Sequence, residues 1–265
     1  MKIDKLLKIL FIGDIVGKPG RRAAKLFLAE NKKKYDLVFA NGENLASGHG
    51  MVMTKYDEMT EAGIDYFTSG NHIWDKPDFE PALDDENIHV LRPLNYPETK
   101  PGRGMAEISV GDSKIVLINL LGRVFIKDEL RDPFAVVNEI VSHHSDKIIV
   151  IDLHAEATSE KIAMKFYLDG RIAALVGTHT HVQTADEEIT PKGTAYITDL
   201  GMCGPTNSVL GVEKDTIIKQ FLTGENQSHK VATGEVNFSA VEINIDRESK
   251  KATSIRRISQ KYAAN

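Results

Sequence analysis

Two histidines, His179 and His181, stand one residue apart directly after a short apolar run in this sequence. The run covers residues 173–176, has the length of a β-strand, and is followed by Gly177. Side chains at positions i and i+2 lie on the same side of an extended chain, so both imidazoles can face one point in space. Such a pair can bind a metal ion. An isolated pair is equally consistent with one surface histidine and one hydrogen-bonded turn histidine.

Side chains of ligand type also follow the other apolar runs that have strand length. They are Asp14 after residues 7–12, Glu43 and Asn44 after 37–40, Asn71 and His72 after 66–68, and His154 after 147–153. In open α/β sheets the carboxyl ends of the strands form the ligand crevice. Five such strand ends, each with a ligand or proton-transfer residue, favour one shared functional site over unrelated turn residues.

The elements that must position these side chains alternate between strands and helices. We predict helices over residues 21–32, 54–62, 133–143 and 159–167, and a further helix that starts at Pro77. Residues 105–110 and 114–121 form a predicted hairpin across Gly111 and Asp112. Another predicted strand covers 195–198, an element of either type covers 212–221, and 235–245 with 252–258 form an antiparallel pair. No linker or repeat interrupts the pattern, so residues 1–265 are predicted to form one α/β domain.

Composition limits the function classes. The chain has 265 residues, of which 42% are hydrophobic, so it can bury a substantial core. Its formal net charge of −5 gives no global positive field of the kind that binds a nucleic-acid backbone. Cys203 is the single cysteine, which excludes an intramolecular disulfide and all-cysteine zinc sites and fits a reducing cytoplasm. Residues 1–8 lack a leader pattern and no apolar stretch is long enough for a bilayer, so we expect a cytoplasmic protein without a membrane partner.

The ligand types indicate which metal and which reaction to expect. Imidazole, carboxylate and amide groups without thiolate favour iron, manganese or zinc over calcium or magnesium. The set is too large for one tetrahedral centre. Two ions about 3.5–4 Å apart, bridged by a carboxylate and a water-derived hydroxide, would use it fully. Phosphoester hydrolysis is the reaction that such a pair serves best.

Five ordered motifs span most of the chain, and they carry a family resemblance. They are Gly13-Asp14, Gly42-Glu43-Asn44, Gly70-Asn71-His72, His154 and Gly177-Thr-His179-Thr-His181. This set resembles the motifs of the calcineurin-like metallophosphoesterases. Val16 stands where the first motif usually has a histidine for the second metal, and Gly42-Glu43-Asn44 replaces Gly-Asp-x-x-Asp. With these departures, and with Arg92-Pro-Leu-Asn-Tyr-Pro97 and His154-Ala-Glu-Ala-Thr-Ser-Glu-Lys161, the chain is similar to the bacterial YmdB-like branch.

The resemblance implies a four-layer α/β/β/α sandwich with mixed sheets. It also implies a metal-dependent phosphodiesterase acting on 2′,3′-cyclic nucleotides, with 3′,5′-cyclic nucleotides as a further class. By the same resemblance, one ion would be held by Asp14, Glu43, Asn44 and His181. The other would be held by Glu43, Asn71, His154 and His179, with Glu43 as the bridge.

The resemblance further implies that His72, next to a ligand but not one itself, protonates the leaving ribose oxygen as general acid. Asp75 could orient the His72 ring, and a helix cap explains Asp75 nearly as well. Because the first-motif histidine is absent, the first ion would depend more on oxygen ligands. We therefore expect iron first and manganese next, with zinc as the remaining candidate.

Other functions remain open at this point. A phosphomonoesterase or phosphoprotein phosphatase could use the same scaffold, and a regulatory protein could keep the site for ligand sensing with little turnover. The expected partner is a small cyclic nucleotide or phosphoester, with RNA ends as a second substrate class and a homo-oligomer as the common state of such enzymes. Residues 122–134 could form a lid in which Phe125 stacks on a base and Arg123 meets phosphate.

Overall fold

The computed structural model describes residues 5–264, which form two β-sheets with helices on their outer faces. The predicted absence of a leader concerns residues 1–8, and of these residues 1–4 lie outside the described part of the chain. No helix within residues 5–264 combines the length and the apolar character needed to span a lipid bilayer.

The first sheet is built from both ends of the chain. Its strands are β1 (Leu6–Ile12), β2 (Asp14–Ile15), β3 (Leu37–Asn41), β4 (Tyr66–Thr68), β11 (Met202–Pro205), β12 (Val236–Asp246) and β13 (Ala252–Tyr262). They follow the order β2-β11-β12-β1-β3-β4, and β13 pairs with β12. Strands β1, β3 and β4 are parallel, and β12 is antiparallel to β1.

The second sheet comes from the middle of the chain. Its strands are β5 (Met105–Val110), β6 (Ser113–Leu121), β7 (Ile148–His154), β8 (Ala174–Thr178), β9 (Glu188–Ile189) and β10 (Ala195–Ile197). They follow the order β5-β6-β7-β8-β10-β9, with β6, β7, β8 and β10 parallel to one another. The predicted hairpin is confirmed, because β5 and β6 pair antiparallel across Gly111 and Asp112.

The helices lie between the strands in sequence. They are α1 (Gly17–Asn31), α2 (Met53–Glu61), α3 (Pro133–His143), α4 (Thr158–Leu168) and α5 (Lys214–Thr223), with 3₁₀ helices at Lys32–Lys34 and Pro77–Asp84. The prediction placed the start of α1 four residues too late, because Gly-Lys-Pro-Gly was interpreted as a turn. Pro19 instead occupies the first turn, where the missing N–H has no cost.

Three apolar layers hold four layers of secondary structure together. Along β1, Leu7, Ile9 and Phe11 face the second sheet, while Leu10 and Ile12 face α1. Strand β6 alternates in the same way, with one set of side chains between the sheets and the other against α3 and α4. Because both faces of each central strand are covered, these strands are apolar at most positions, with exceptions such as Lys8 in β1 and Asp152 in β7. The predicted α/β/β/α sandwich with mixed sheets is confirmed.

Candidate metal centre and catalytic site

The predicted ligand residues meet where the carboxyl ends of the parallel strands of both sheets come together. Glu43 follows β3 in the first sheet, and His154 ends β7 in the second. Glu43 Oε1 lies 3.0 Å from His154 Nε2, and His179 Nδ1 lies 3.0 Å from the same His154 nitrogen. One ligand atom from each of these three residues lies within 4.8 Å of the others. The two sheets therefore supply one common cluster.

A second group of predicted ligands lies beside the first. His181 Nε2 is 3.7 Å from Asp14 Oδ1 and 3.3 Å from Asn44 Oδ1. Asp14 is also near the first group, since its Oδ1 lies 4.0 Å from His154 Nδ1. His179 and His181 thus face different partners, one in each group.

Two buried oxygen atoms in these groups have no hydrogen-bond partner among residues 5–264. They are Asp14 Oδ1 and Asn71 Oδ1. A buried polar atom without a partner is costly in a folded protein, unless a bound group satisfies it. Both atoms are hard oxygen donors. Asp14 Oδ1 lies 3.7 Å from His181 Nε2, and Asn71 directly follows Gly70, which lies against Glu43 and His154. Oxygen donors together with imidazole suit iron, manganese or zinc. The residues present therefore fit a metal centre.

The electrostatics of the cluster also favour a cation. Burial opposes ionisation of Asp14, but the neighbouring imidazoles of His181 and His154 lower the pKa of Asp14 to about 2. Burial alone would lower the pKa of His154, but the charges of Glu43 and Asp14 raise it to about 9. The two buried carboxylates therefore create a negative field strong enough to hold positive charge on a buried ring.

Gly70 allows the two sheets to approach at this point. A Cβ atom at this position would lie 2.1 Å from Glu43 Oε2 and 2.3 Å from His154 Cδ2. No side chain fits there without moving one of these two residues. The glycine of Gly70-Asn71-His72 therefore makes room for the Glu43 carboxylate.

The backbone of the two histidines differs from the predicted extended chain. Strand β8 ends at Thr178, and His179 and His181 have φ angles of 97° and 65°. Positive φ is rare for residues other than glycine and costs on the order of 1–3 kcal/mol each. The expectation that both rings share one side of a strand is wrong, because the chain turns between them. This turn directs the two rings to separate groups.

A buried ion pair holds the turn in place. Lys161 Nζ donates to the carbonyl oxygen of Thr178 at 2.8 Å and contacts Asp199 Oδ2 at 2.8 Å. The same Asp199 oxygen accepts from the backbone N–H of Thr180 at 3.1 Å and from its hydroxyl at 2.7 Å. The pair thus anchors the residues on either side of His179. The sequence analysis quoted Lys161 within a motif but assigned it no role.

Replacing Lys161 by methionine is expected to lower the free energy of unfolding by about 3–5 kcal/mol, because Asp199 is left charged, buried and unpaired. Urea unfolding followed by circular dichroism measures this loss. The matched control is Lys25→Met, which removes an exposed ion pair with Glu58 and should cost less than about 1 kcal/mol. The double variant Lys161→Met with Asp199→Leu should recover most of the loss. Equal stability of Lys161→Met and the control would contradict the anchoring role.

A chain of buried hydrogen bonds fixes the orientation of His154. His154 Nδ1 lies 2.8 Å from Thr178 Oγ1, which donates to Asp152 Oδ1 at 2.8 Å. Asp152 Oδ2 also accepts from the Thr68 hydroxyl and the Asn41 amide, so it links the two sheets. With Nδ1 donating to Thr178, the neutral form of the ring that binds a metal ion would present the lone pair of Nε2 to the cluster. Asp152 was not among the predicted site residues, because a single carboxylate within the apolar run of residues 148–153 does not by itself indicate its partners.

His72 lies at the edge of the cluster and faces solvent. Its backbone N–H donates to Glu43 Oε2 at 3.2 Å, and its Nδ1 lies 2.8 Å from Asp75 Oδ2. Asp75 does not cap a helix, since the following 3₁₀ helix has Lys76 at its N-cap position and no side-chain cap. The contact favours the predicted role of Asp75 in orienting the ring. It leaves Nε2 of His72 available for proton transfer.

The predicted lid segment starts at the cluster and then runs outward. The backbone N–H of Gly122 donates to the carbonyl oxygen of His154 at 2.9 Å, and the N–H of Arg123 donates to Glu160 Oε1 at 2.9 Å. Beyond these two backbone hydrogen bonds, Phe125 is 83% exposed and has a φ angle of 67°. An exposed aromatic ring in a strained backbone is available to contact a ligand.

Replacing Phe125 by alanine is expected to raise the KM for a cyclic nucleotide at least about 5-fold, because stacking of one base on an aromatic ring contributes about 1–3 kcal/mol. Steady-state kinetics at fixed metal concentration measures the change. Phe166→Ala is the control, since Phe166 is also an exposed aromatic residue but lies on α4. Unchanged kinetics in Phe125→Ala would exclude the lid role.

Comparison with known proteins identifies the family. Residues 10–258 match the family described as YmdB-like protein. The chain belongs to the YmdB-like family. A member from Bacillus subtilis (strain 168), named 2′,3′-cyclic-nucleotide 2′-phosphodiesterase, is 46% identical over 256 residues, which cover 95% of this chain and 96% of that protein. Membership confirms the predicted class of a metal-dependent phosphoesterase.

Solved structures agree with this YmdB-like fold. A crystal structure from Mycoplasma pneumoniae, described as a novel phosphatase, has a TM-score of 0.92 and 36% identity, and the match covers 98% of this chain and 95% of that one. A putative 5′-nucleotidase from Staphylococcus aureus matches with a TM-score of 0.62 and 17% identity, covering 98% of this chain and 54% of that one. The second likeness concerns the fold alone.

Proposed function

We propose that this YmdB-like protein is a dinuclear-metal phosphodiesterase that hydrolyses cyclic nucleotides, 2′,3′-cyclic ones first and 3′,5′-cyclic ones as a further class. The observation that carries the proposal is the pair of buried oxygens, Asp14 Oδ1 and Asn71 Oδ1, that lack hydrogen-bond partners among residues 5–264. Asp14 lies in a cluster with Glu43 and three histidines, and Asn71 directly follows Gly70, which lies against Glu43 and His154. The name of the Bacillus subtilis relative supports the choice of substrate.

The proposed ligand sets follow the two groups of contacts. Asp14, Asn44 and His181 would hold one ion, and Asn71, His154 and His179 the other, with Glu43 shared by both. Glu43 suits this role because a carboxylate has two oxygens to share. When bound, the ions supply Lewis acidity to the phosphate and lower the pKa of a water molecule. The group of Asp14, Asn44 and His181, in which two of the three ligands are oxygen donors, favours iron or manganese over zinc.

The proton that the reaction needs is assigned to His72. In hydrolysis of a 2′,3′-cyclic phosphate, a bond forms between the water oxygen and phosphorus, and the bond between phosphorus and O2′ breaks. The departing O2′ takes a proton from Nε2 of His72, while Asp75 holds Nδ1 of the same ring. The product is then a nucleoside 3′-phosphate with a free 2′-hydroxyl group. The attacking water loses its proton to solvent, and the His72 ring takes up a proton from solvent.

A phosphomonoesterase is the second candidate. The Mycoplasma pneumoniae structure described as a phosphatase supports it, and a metal cluster alone does not select between ester types. Parallel turnover of 2′,3′-cyclic AMP, bis-p-nitrophenyl phosphate and p-nitrophenyl phosphate separates the two. We expect the two diesters to be hydrolysed at least 10-fold faster than the monoester. The reverse order would favour the phosphatase, and an RNA that ends in a 2′,3′-cyclic phosphate tests the larger substrate class.

Metal analysis of freshly purified protein completes this test. Inductively coupled plasma mass spectrometry is expected to find two metal ions per chain, with iron or manganese in excess of zinc. Removal by a chelator should abolish turnover, and addition of Mn²⁺ should restore it. A protein that remains inactive toward all three esters after reconstitution would contradict the proposed activity and favour a ligand-sensing role.

A further inference from the structure

A cavity of about 580 Å³ opens beside His72 and is not used by the proposed chemistry. Its walls are residues 47–49, 210–212 and 227–231, together with Val16, His72 and Asp75. The volume lies within the range of about 300–1,000 Å³ that is typical of small-molecule sites. The cavity is therefore large enough for the part of a substrate that extends beyond its phosphate.

The floor of this cavity is continuous with the group of Asp14, Asn44 and His181. Asn44 Nδ2 donates to the carbonyl oxygen of Gly48 at 3.0 Å, and His181 Nδ1 lies 3.1 Å from the carbonyl oxygen of Leu210. Val16, two residues after Asp14, also lines the cavity and gives its wall a small apolar surface. A substrate whose phosphate is at the cluster can extend directly into this space.

A second histidine shares the partner of His72 at the mouth of the cavity. His49 Nδ1 lies 3.2 Å from Asp75 Oδ2, the same oxygen that contacts His72 Nδ1. The two ring centroids are 6.3 Å apart. Because Asp75 binds the Nδ1 side of both rings, each Nε2 remains available. Two imidazole rings therefore border the mouth of the cavity.

A smaller cavity, which also borders Asp75, has a different charge. It measures about 370 Å³ and is bordered by Asn71 and by the three carboxylates of Asp75, Asp128 and Glu129, with Lys100 as its basic residue. In the larger cavity Lys230 balances the single carboxylate of Asp75. The charges therefore oppose an anionic ligand in the smaller cavity but not in the larger one.

We propose that the larger cavity binds the nucleoside half of the substrate. Val16, Val212 and Val231 offer apolar contacts for a base or ribose, while Gln227 and Ser228 offer hydrogen bonds to base edges. Lys230 adds positive charge to the cavity wall. The inference rests on the proposed phosphodiesterase activity and adds the position of the nucleoside to it.

Two variants test the cavity without altering a proposed metal ligand. Lys230→Ala removes charge, and Ser228→Trp fills space with an indole ring at an exposed position. For 2′,3′-cyclic AMP we expect kcat/KM to fall at least 10-fold in each variant. For bis-p-nitrophenyl phosphate, which has no nucleoside, the loss should be at least fivefold smaller. Lys100→Ala, in the smaller cavity, is the matched control. It should leave the ratio of the two kcat/KM values, for 2′,3′-cyclic AMP and for bis-p-nitrophenyl phosphate, unchanged.

Calorimetric titration of the metal-loaded protein with adenosine and with inorganic phosphate provides a readout independent of turnover. Ser228→Trp should weaken adenosine binding at least five times more than phosphate binding. Equal losses of affinity for adenosine and for phosphate in Ser228→Trp would overturn the proposal. A selective loss of adenosine affinity in Lys100→Ala would overturn it as well. If the unaltered protein hydrolyses neither diester, the proposed activity fails, and adenosine binding still decides whether the cavity takes a nucleoside.

Discussion

Replacement of Glu43 by glutamine is expected to lower kcat/KM for a phosphodiester at least 1000-fold, which corresponds to about 4 kcal/mol of transition-state stabilisation. Glu43 is buried and lies 3.0 Å from His154 Nε2, between the residues assigned to the two ions. Glutamine keeps the shape but loses the charge and presents an amide N–H₂ where an ion needs an oxygen. Steady-state kinetics with 2′,3′-cyclic AMP measures the loss.

Metal content identifies the cause of this loss. Mass spectrometry of the Glu43→Gln protein should find at most one metal ion per chain, because the shared ligand is lost. Glu61→Gln, at the exposed end of α2, is the control and should retain both ions and full turnover. A Glu43→Gln protein with two ions and normal kinetics would exclude a bridging carboxylate.

Replacement of His72 by alanine is expected to lower kcat for 2′,3′-cyclic AMP about 100–1000-fold, since a positioned general acid typically contributes 10²–10⁴-fold. The loss should be much smaller for bis-p-nitrophenyl phosphate, because p-nitrophenolate leaves without a proton. Metal content should not change, since His72 contacts the cluster through its backbone N–H. Kinetics with both substrates measures the difference.

Asp75→Asn is the companion variant for His72. It keeps a hydrogen-bond acceptor at His72 Nδ1 but removes the charge, so an intermediate loss of kcat is expected. Equal losses for both diesters in His72→Ala would contradict the acid role. A His72→Ala protein that keeps full biological activity in the cell would instead favour the ligand-sensing function.

The strand pattern explains why most of the fold was predictable. Runs such as residues 7–12 and 147–153 are apolar at most positions and show no regular alternation with polar residues, which is typical of strands covered on both faces. Short strands were not predicted: β2, β9 and β11 have two to four residues and carry too little pattern. The undecided element over 212–221 is the helix α5, which ends at Gly224 in the left-handed conformation.

The site was predictable where its residues follow strands and not where they lie within elements. The rule on strand ends led to Glu43, His154 and His181, and their contacts place them in the two groups. The roles of Asp152 and of the Lys161–Asp199 pair depend on contacts between remote segments. Side chains that hydrogen-bond to a ligand residue or to its backbone have no regular spacing in the sequence, so the sequence did not indicate the roles of these three residues.

The order of strands in the first sheet has a consequence for how the protein is made. Strand β1 pairs with β12, so Leu7 lies opposite Ile245, and the N–H of Gly13 donates to the carbonyl oxygen of Ser239. All seven residues proposed as metal ligands leave the ribosome before these C-terminal partners do. A nascent chain therefore contains its proposed metal ligands before it contains β12, the strand that binds the backbone of Gly13 next to Asp14. Cellular metal insertion is expected to follow completion of the chain.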